Sequence, residues 1–160
     1  MTNPLRHARL HSLAVALLSA SIAACSESPT QSINVLERLS VSAQVSRTAF
    51  RSGDSTTVRV VVTNISKQTV TTGLLDSCIP LFDVFKDDYI VAPGGWSRVC
   101  TASIRMETIA PGASKVLTYV WRGENIDWAV MLSPGTYVLR GKLGAGDNVI
   151  HGEPVALQIL

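Results

Sequence analysis

The sequence predicts an all-β fold, an immunoglobulin-like antiparallel β-sandwich of about eight or nine strands. Three observations predict it. Apolar residues alternate with polar ones at period two from Leu39 onward, Gly- and Pro-bearing turn signals punctuate those stripes at short intervals, and helical patterning is scarce. A closed barrel is the competing architecture for the same pattern.

The first strand rests on Leu39, Val41, Ala43 and Val45, which alternate with Ser40, Ser42, Gln44 and Ser46 and so give one apolar and one polar face. After a turn at Ser52-Gly53-Asp54, the segment 57–64 puts Val58, Val60 and Val62 on one face and Thr57, Arg59 and Thr63 on the other. Asn64-Ile65-Ser66-Lys67 supplies turn chemistry, and Val70, Thr72 and Leu74 alternate up to Cys78. Residues 81–86 are rich in β-branched and aromatic side chains, Asp87-Asp88 reads as a hairpin turn, and Tyr89-Ile90-Val91 returns. Further strands are expected at 102–109, 115–122, 128–132, 136–143 and 154–160. They are separated by Ala110-Pro111-Gly112, residues 123–127, Ser133-Pro134-Gly135 and residues 144–148.

Ahead of the strands, a polar start with Arg6 and Arg9 leads into Leu13-Ala14-Val15-Ala16-Leu17-Leu18 and then small residues to Ala24, the layout of a secretory signal. The run is shorter than the roughly 20 apolar residues a membrane-spanning helix needs. Ile22-Ala23-Ala24-Cys25 resembles the lipobox of bacterial lipoproteins at every position, which implies lipid attachment at Cys25; the plainer alternative is an ordinary cleavage site that happens to precede a cysteine. Multiple acyl chains would tether the domain durably, where a single chain holds only marginally. Ser26, in place of an Asp after the cysteine, resembles the sorting signal of the Gram-negative outer membrane, so the expected location is the cell envelope with the membrane as a lipid-mediated partner. The expected organisation is a signal peptide over 1–24, a lipidated N-terminus and Ser-, Pro- and Thr-rich tether over 25–36, and one domain over 37–160.

Removing Arg6 and Arg9 from the 14 basic residues leaves 12 to balance the 12 acidic ones. A near-neutral domain lacks the basic footprint of a nucleic-acid binder. In an oxidising compartment Cys78 and Cys100 are expected to pair, closing a loop of about 22 residues for roughly 3 kcal/mol on a chain-entropy estimate; two buried free thiols are the alternative.

Catalytic and ligand chemistry finds little footing. His151 is the one histidine beyond the leader and reads as a strand-end residue, and no serine sits in a Gly-x-Ser-x-Gly elbow. Cys78, Cys100 and His151 are too scattered for a zinc site, so neither metal nor cofactor is expected, and no small-molecule substrate. Asp87-Asp88 is better explained as a turn than as an acid and base pair, because adjacent strand residues point to opposite faces. Gly141, Gly144 and Gly146 lack the strand-to-helix context of a phosphate cradle and read as loop glycines. Two surface stretches remain. One is 87–100, with Pro93-Gly94-Gly95-Trp96 at its middle and Tyr89, Trp96 and Arg98 as candidate partner contacts; the other is 123–128, ending in Trp128. Each tryptophan suits a core cap as well as a partner anchor.

Thr63-Asn64, Asp83-Val84-Phe85-Lys86-Asp87-Asp88, Ile109-Ala110-Pro111-Gly112, Tyr119-Val120-Trp121 and Pro134-Gly135-Thr136-Tyr137-Val138 follow one another in the order seen in BsuPI-type proteinase inhibitor domains. Over residues 55–143 the chain resembles that family, in a strand ending in Asn, an acidic hairpin turn, a Pro-Gly turn before a strand ending in Trp, and a Pro-Gly-x-Tyr entry to a late strand. The resemblance implies a protease as partner, with Arg98 as the basic side chain suited to a specificity pocket. The export signal, the lipid cysteine and the cysteine pair depart from the founding domain, which is intracellular. The sequence therefore supports two function classes, a lipid-anchored inhibitor-like binding protein and a non-inhibitory envelope interaction or structural module, with an enzyme a distant third.

Overall fold

The computed structural model describes residues 34–73, 75, 80–93, 106–145 and 147–160. They form an all-β sandwich. One face is a three-stranded antiparallel sheet of β1 (Leu39–Val45), β3 (Thr56–Asn64) and β8 (Ser114–Trp121), in that order. The other runs β2 (Ala49–Phe50), β13 (Val155–Ile159), β11 (Gly135–Ala145), β5 (Phe82–Lys86) and β6 (Tyr89–Ala92), with β12 (Asn148–His151) also paired to β11. Two short ribbons complete the described fold, β4 (Val70–Thr72) with β7 (Glu107–Ile109), and β9 (Glu124–Asn125) with β10 (Val130–Met131).

Period-two patterning decides which side chains enter the core. Val58, Val60 and Val62 are fully buried, as the alternation requires, and the β3–β8 register sets Val60 opposite Leu117. From the second sheet, Phe82, Val84, Leu139, Leu157 and Ile159 face inward at 2% exposure or less. Aromatic rings join the layers: Phe82 lies 5.7 Å from Tyr119 and 6.0 Å from Trp121, and Phe50 meets Trp121 edge-on at 5.9 Å. Each such large side chain contributes about 1.5–3 kcal/mol by leaving water.

Two features lock this packing. Asn64, fully buried at the end of β3, donates to the carbonyls of Gln68 (2.8 Å) and Ile109 (2.9 Å), and its Oδ1 accepts from the Ser66 amide (2.9 Å) and hydroxyl (2.8 Å). The strand-end Asn thus ties β3 to the β4–β7 ribbon with its polar capacity satisfied. At Gly141 and Gly152 the backbone of β1 passes so close that a Cβ on Gly141 would lie 3.0 Å from the Ser42 carbonyl carbon, and one on Gly152 would collide with the Val41 carbonyl oxygen. Only glycine allows the two sheets this approach.

The described residues hold thirteen strands, more than the eight or nine expected, because β2, β9 and β12 are two to four residues long, too short for alternation to register. One pair is parallel: β2 runs beside β13 with Ala49 opposite Gln158 and Phe50 opposite Ile159. The strand expected over 128–132 contracts to Val130–Met131, since residues 126–129 form the turn and Ala129 takes a positive φ of 51°. Of the strand expected at 102–109, Glu107–Ile109 is observed and residues 102–105 lie outside the described residues. Leu36, assigned to the tether by composition, belongs to the core at 7% exposure, carried on a 3-10 helix, Val35–Arg38, whose Leu36 amide donates to Asn34 Oδ1 at 3.1 Å. Four residues of helix give composition too little to work with.

Candidate functional site

Residues 87–93, the described part of the first surface stretch singled out from the sequence, meet the second stretch in space. Hairpin β9–β10 is fixed at its base by the Trp121 indole, which donates to the Glu124 carbonyl at 2.9 Å, and by the Leu132 amide, which donates to Gly123 at 2.7 Å. Asn125, 8% exposed, then links it to the edge strand: Nδ2 donates to the Val91 carbonyl at 2.9 Å, while Oδ1 accepts from the amides of Asp127 (3.0 Å) and Trp128 (3.2 Å). The Ile126 amide adds a bond to the Pro93 carbonyl at 2.6 Å. One buried Asn therefore orders the turn that carries Trp128 and anchors it to the start of the other stretch.

The ambiguity over Trp128 resolves toward solvent, at 75% exposure. Tyr89 opens β6 at 76% exposure, and Ile90, Val130 and Met131 are exposed too. Trp96 and Arg98 lie outside the described residues, as do Cys25, Cys78 and Cys100.

A second constellation went unread in the sequence. On the outer face of the six-stranded sheet, β5 presents Asp83 and Phe85 opposite Arg140 and Val138 of β11, and Lys142 pairs in register with His151 of β12. Asp83 and Lys142 are 3% and 4% exposed; Lys142 Nζ donates to Asp83 Oδ1 at 2.7 Å, and His151 Nε2 sits 2.9 Å from Asp83 Oδ2. The imidazole is also held edge-on to Phe85, with ring centroids 5.5 Å apart. Phe85, Asp87, Asp88, Val138, Arg140 and His151 line a cleft of about 320 Å³ beside this network. His151 is indeed a strand-end residue, but it reaches a carboxylate 68 positions away. The available signal was Asp83 itself, a charge set between Phe82 and Val84 in a strand with little polar content.

Asp87 and Asp88 both take positive φ, 49° and 67°, the conformation of a two-residue type I′ hairpin that suits the twist of flanking strands. Among the described residues no group of three or more His, Cys, Asp or Glu is placed to hold a metal ion, and no helix is long and apolar enough to cross a membrane. Between the sheets, burial pushes the Tyr119 hydroxyl above its ordinary 10.0, an effect partly opposed by the Leu81 backbone. That hydroxyl has no partner at hydrogen-bonding geometry among the described residues.

No family model matches the chain, and no curated protein does. Among solved structures, the chain is similar to a β-glucosidase from Erythrobacter marinus, at 16% identity and a TM-score of 0.43 over 76% of this chain and 15% of that one. A β-glucosidase from Listeria innocua in complex with glucose matches at 14% identity and a TM-score of 0.38, over 76% and 16%. The sporulation control protein Spo0M of Bacillus subtilis matches at 16% identity and a TM-score of 0.36, over 76% and 48%. The chain thus spans about one-sixth of the length of the β-glucosidases and about half that of Spo0M.

Proposed function

We propose that this chain is a cell-envelope lipoprotein, anchored through Cys25 and sorted to the outer membrane of a Gram-negative bacterium, whose β-sandwich binds another protein at the end formed by β6 and the β9–β10 hairpin. The carrying observation is Trp128: three-quarters exposed, yet set on a turn ordered by Asn125 and bonded to both Val91 and Pro93. A large side chain whose backbone is ordered before contact has only its own rotamer freedom left to lose on binding, which suits an interface anchor. Tyr89 and Ile90 offer further amphipathic and apolar area on the adjoining edge strand.

The resemblance to BsuPI-type domains makes a protease the first partner to test. Residues 94–105 continue from Pro93, so Trp96 and Arg98 follow directly in the chain from the edge that the hairpin touches. The purified chain at micromolar concentration is expected to slow at least one member of a serine-protease panel, and Trp128→Ala to weaken that inhibition by about tenfold or more, the scale of an interface hot spot. If the panel is untouched and cross-linking recovers one stable envelope partner, the module is non-inhibitory. If neither appears, the reading fails.

A further inference from the structure

The cleft over β5 and β11 is unusual in its charge. In the β5–β11 register Arg140 stands directly opposite Asp83, where a cross-strand ion pair would ordinarily form. Asp83 is already engaged on both oxygens, Oδ1 with Lys142 and Oδ2 with His151. The Arg140 side chain makes no ion pair or hydrogen bond among the described residues, and neither do those of Asp87 and Asp88, although all three line the same cleft. Two carboxylates and a guanidinium are thus held in one concavity without neutralising each other.

Strand geometry separates those charges. From the hairpin turn, the outer face reads Asp87 and Asp88, then Phe85 opposite Val138, then Arg140 at the level of Asp83, then His151 at the level of Lys142. Four residues along a strand, from Asp87 to the level of Arg140, cover about 13 Å. The floor between is Phe85 and Val138, one aromatic and one aliphatic side chain.

We infer that this cleft binds a short peptide with free termini, of dipeptide length, its ammonium at Asp87 and Asp88 and its carboxylate at Arg140, with the His151 ring as a wall of the site. The dimensions agree: two extended residues span about 7 Å, and a hydrogen bond of about 2.9 Å at each end brings the total close to 13 Å. A volume of about 320 Å³ stands at the small end of ligand pockets, which run from about 300 to 1,000 Å³. A purely anionic ligand would be repelled by the acidic turn and a purely cationic one by Arg140, so the lining selects for both charges at once. The buried Asp83–Lys142 pair and the Phe85 edge contact fix the His151 ring in advance.

The test is calorimetry on the full chain in detergent, with L-alanyl-L-alanine as probe beside its N-acetyl form, which lacks the ammonium, and its C-terminal amide, which lacks the carboxylate. The free dipeptide is expected to bind saturably and each blocked form about tenfold more weakly or worse, the effect of one lost charge-assisted hydrogen bond. Arg140→Gln is expected to weaken the free dipeptide about tenfold while leaving the amide unaffected. Asp87→Asn with Asp88→Asn, which preserves the positive φ because Asn tolerates it, is expected to do the same for the N-acetyl form. Absence of saturable binding at ten-millimolar dipeptide, or equal binding of the blocked forms to the unaltered chain, overturns the assignment whether or not the variants fold.

Discussion

Replacing Asp83 with alanine strikes the most costly arrangement in the described structure. Asp83 and Lys142 are each at least 96% shielded from water, and the 2.7 Å ion pair together with the 2.9 Å His151 contact compensates the carboxylate for its lost hydration. Removing one member of a buried pair withdraws the countercharge that the other was buried against and costs about 3–5 kcal/mol. At about 4 °C per kcal/mol for a domain of this size, Tm is expected to fall by about 12–20 °C. Urea denaturation measures the loss directly, provided the unfolding slope is unchanged. Asp83→Leu combined with Lys142→Met removes both charges, and is expected to recover about 2 kcal/mol or more of the single-variant loss, because two apolar side chains need no hydration replaced. An Asp83→Ala loss below about 1 kcal/mol, or a double variant no better than the single, would refute the reading of this pair as buried and mutually dependent.

Three other outcomes follow from the same structure. Trp128→Ala is expected to change stability by less than about 0.5 kcal/mol, since the side chain is 75% exposed, whereas Asn125→Ala, which frees the Val91 carbonyl and the amides of Asp127 and Trp128, is expected to cost about 1–3 kcal/mol in the same urea titration. Gly152→Ala drives a methyl group into the Val41 carbonyl oxygen, main chain that cannot swing aside, and is expected to destabilise by about 1–3 kcal/mol by thermal melting. For Tyr119 the sign is fixed by its raised pKa: the folded protein resists ionisation that the unfolded chain undergoes near 10.0, so stability is full below that pH and declines as pH climbs through the raised value. Tyr119→Phe is expected to flatten that alkaline decline and, at neutral pH, to be neutral or stabilising by up to about 1 kcal/mol, because the buried hydroxyl approaches the Leu81 backbone without reaching full hydrogen-bond geometry.

The sandwich was legible because the inward residues of its longer strands obey period two: Val58, Val60 and Val62 are buried, and the turns at Asn64, Asp87-Asp88 and Ala110-Pro111-Gly112 fall where turn chemistry puts them. What escaped is what alternation cannot encode. Ala49–Phe50 pairs with a strand more than one hundred residues away, and two residues carry no period. The Asp83–Lys142–His151 network escaped because its members sit on three strands and come together only through register. Even so, a single carboxylate between Phe82 and Val84 marked the place. Trp128 shows the opposite case, since its position was visible but its direction depended on Asn125, whose reach to Val91 spans 34 residues.

A photo-reactive phenylalanine derivative placed at position 128 of the full chain produced in a bacterial envelope, with the same group at Thr118 on the outward face of β8 as control, probes the proposed binding edge. One discrete adduct with a single envelope protein from position 128, absent from position 118, is the predicted result. Identical adducts from both positions, or none from 128, would contradict the assignment of this edge as the partner surface.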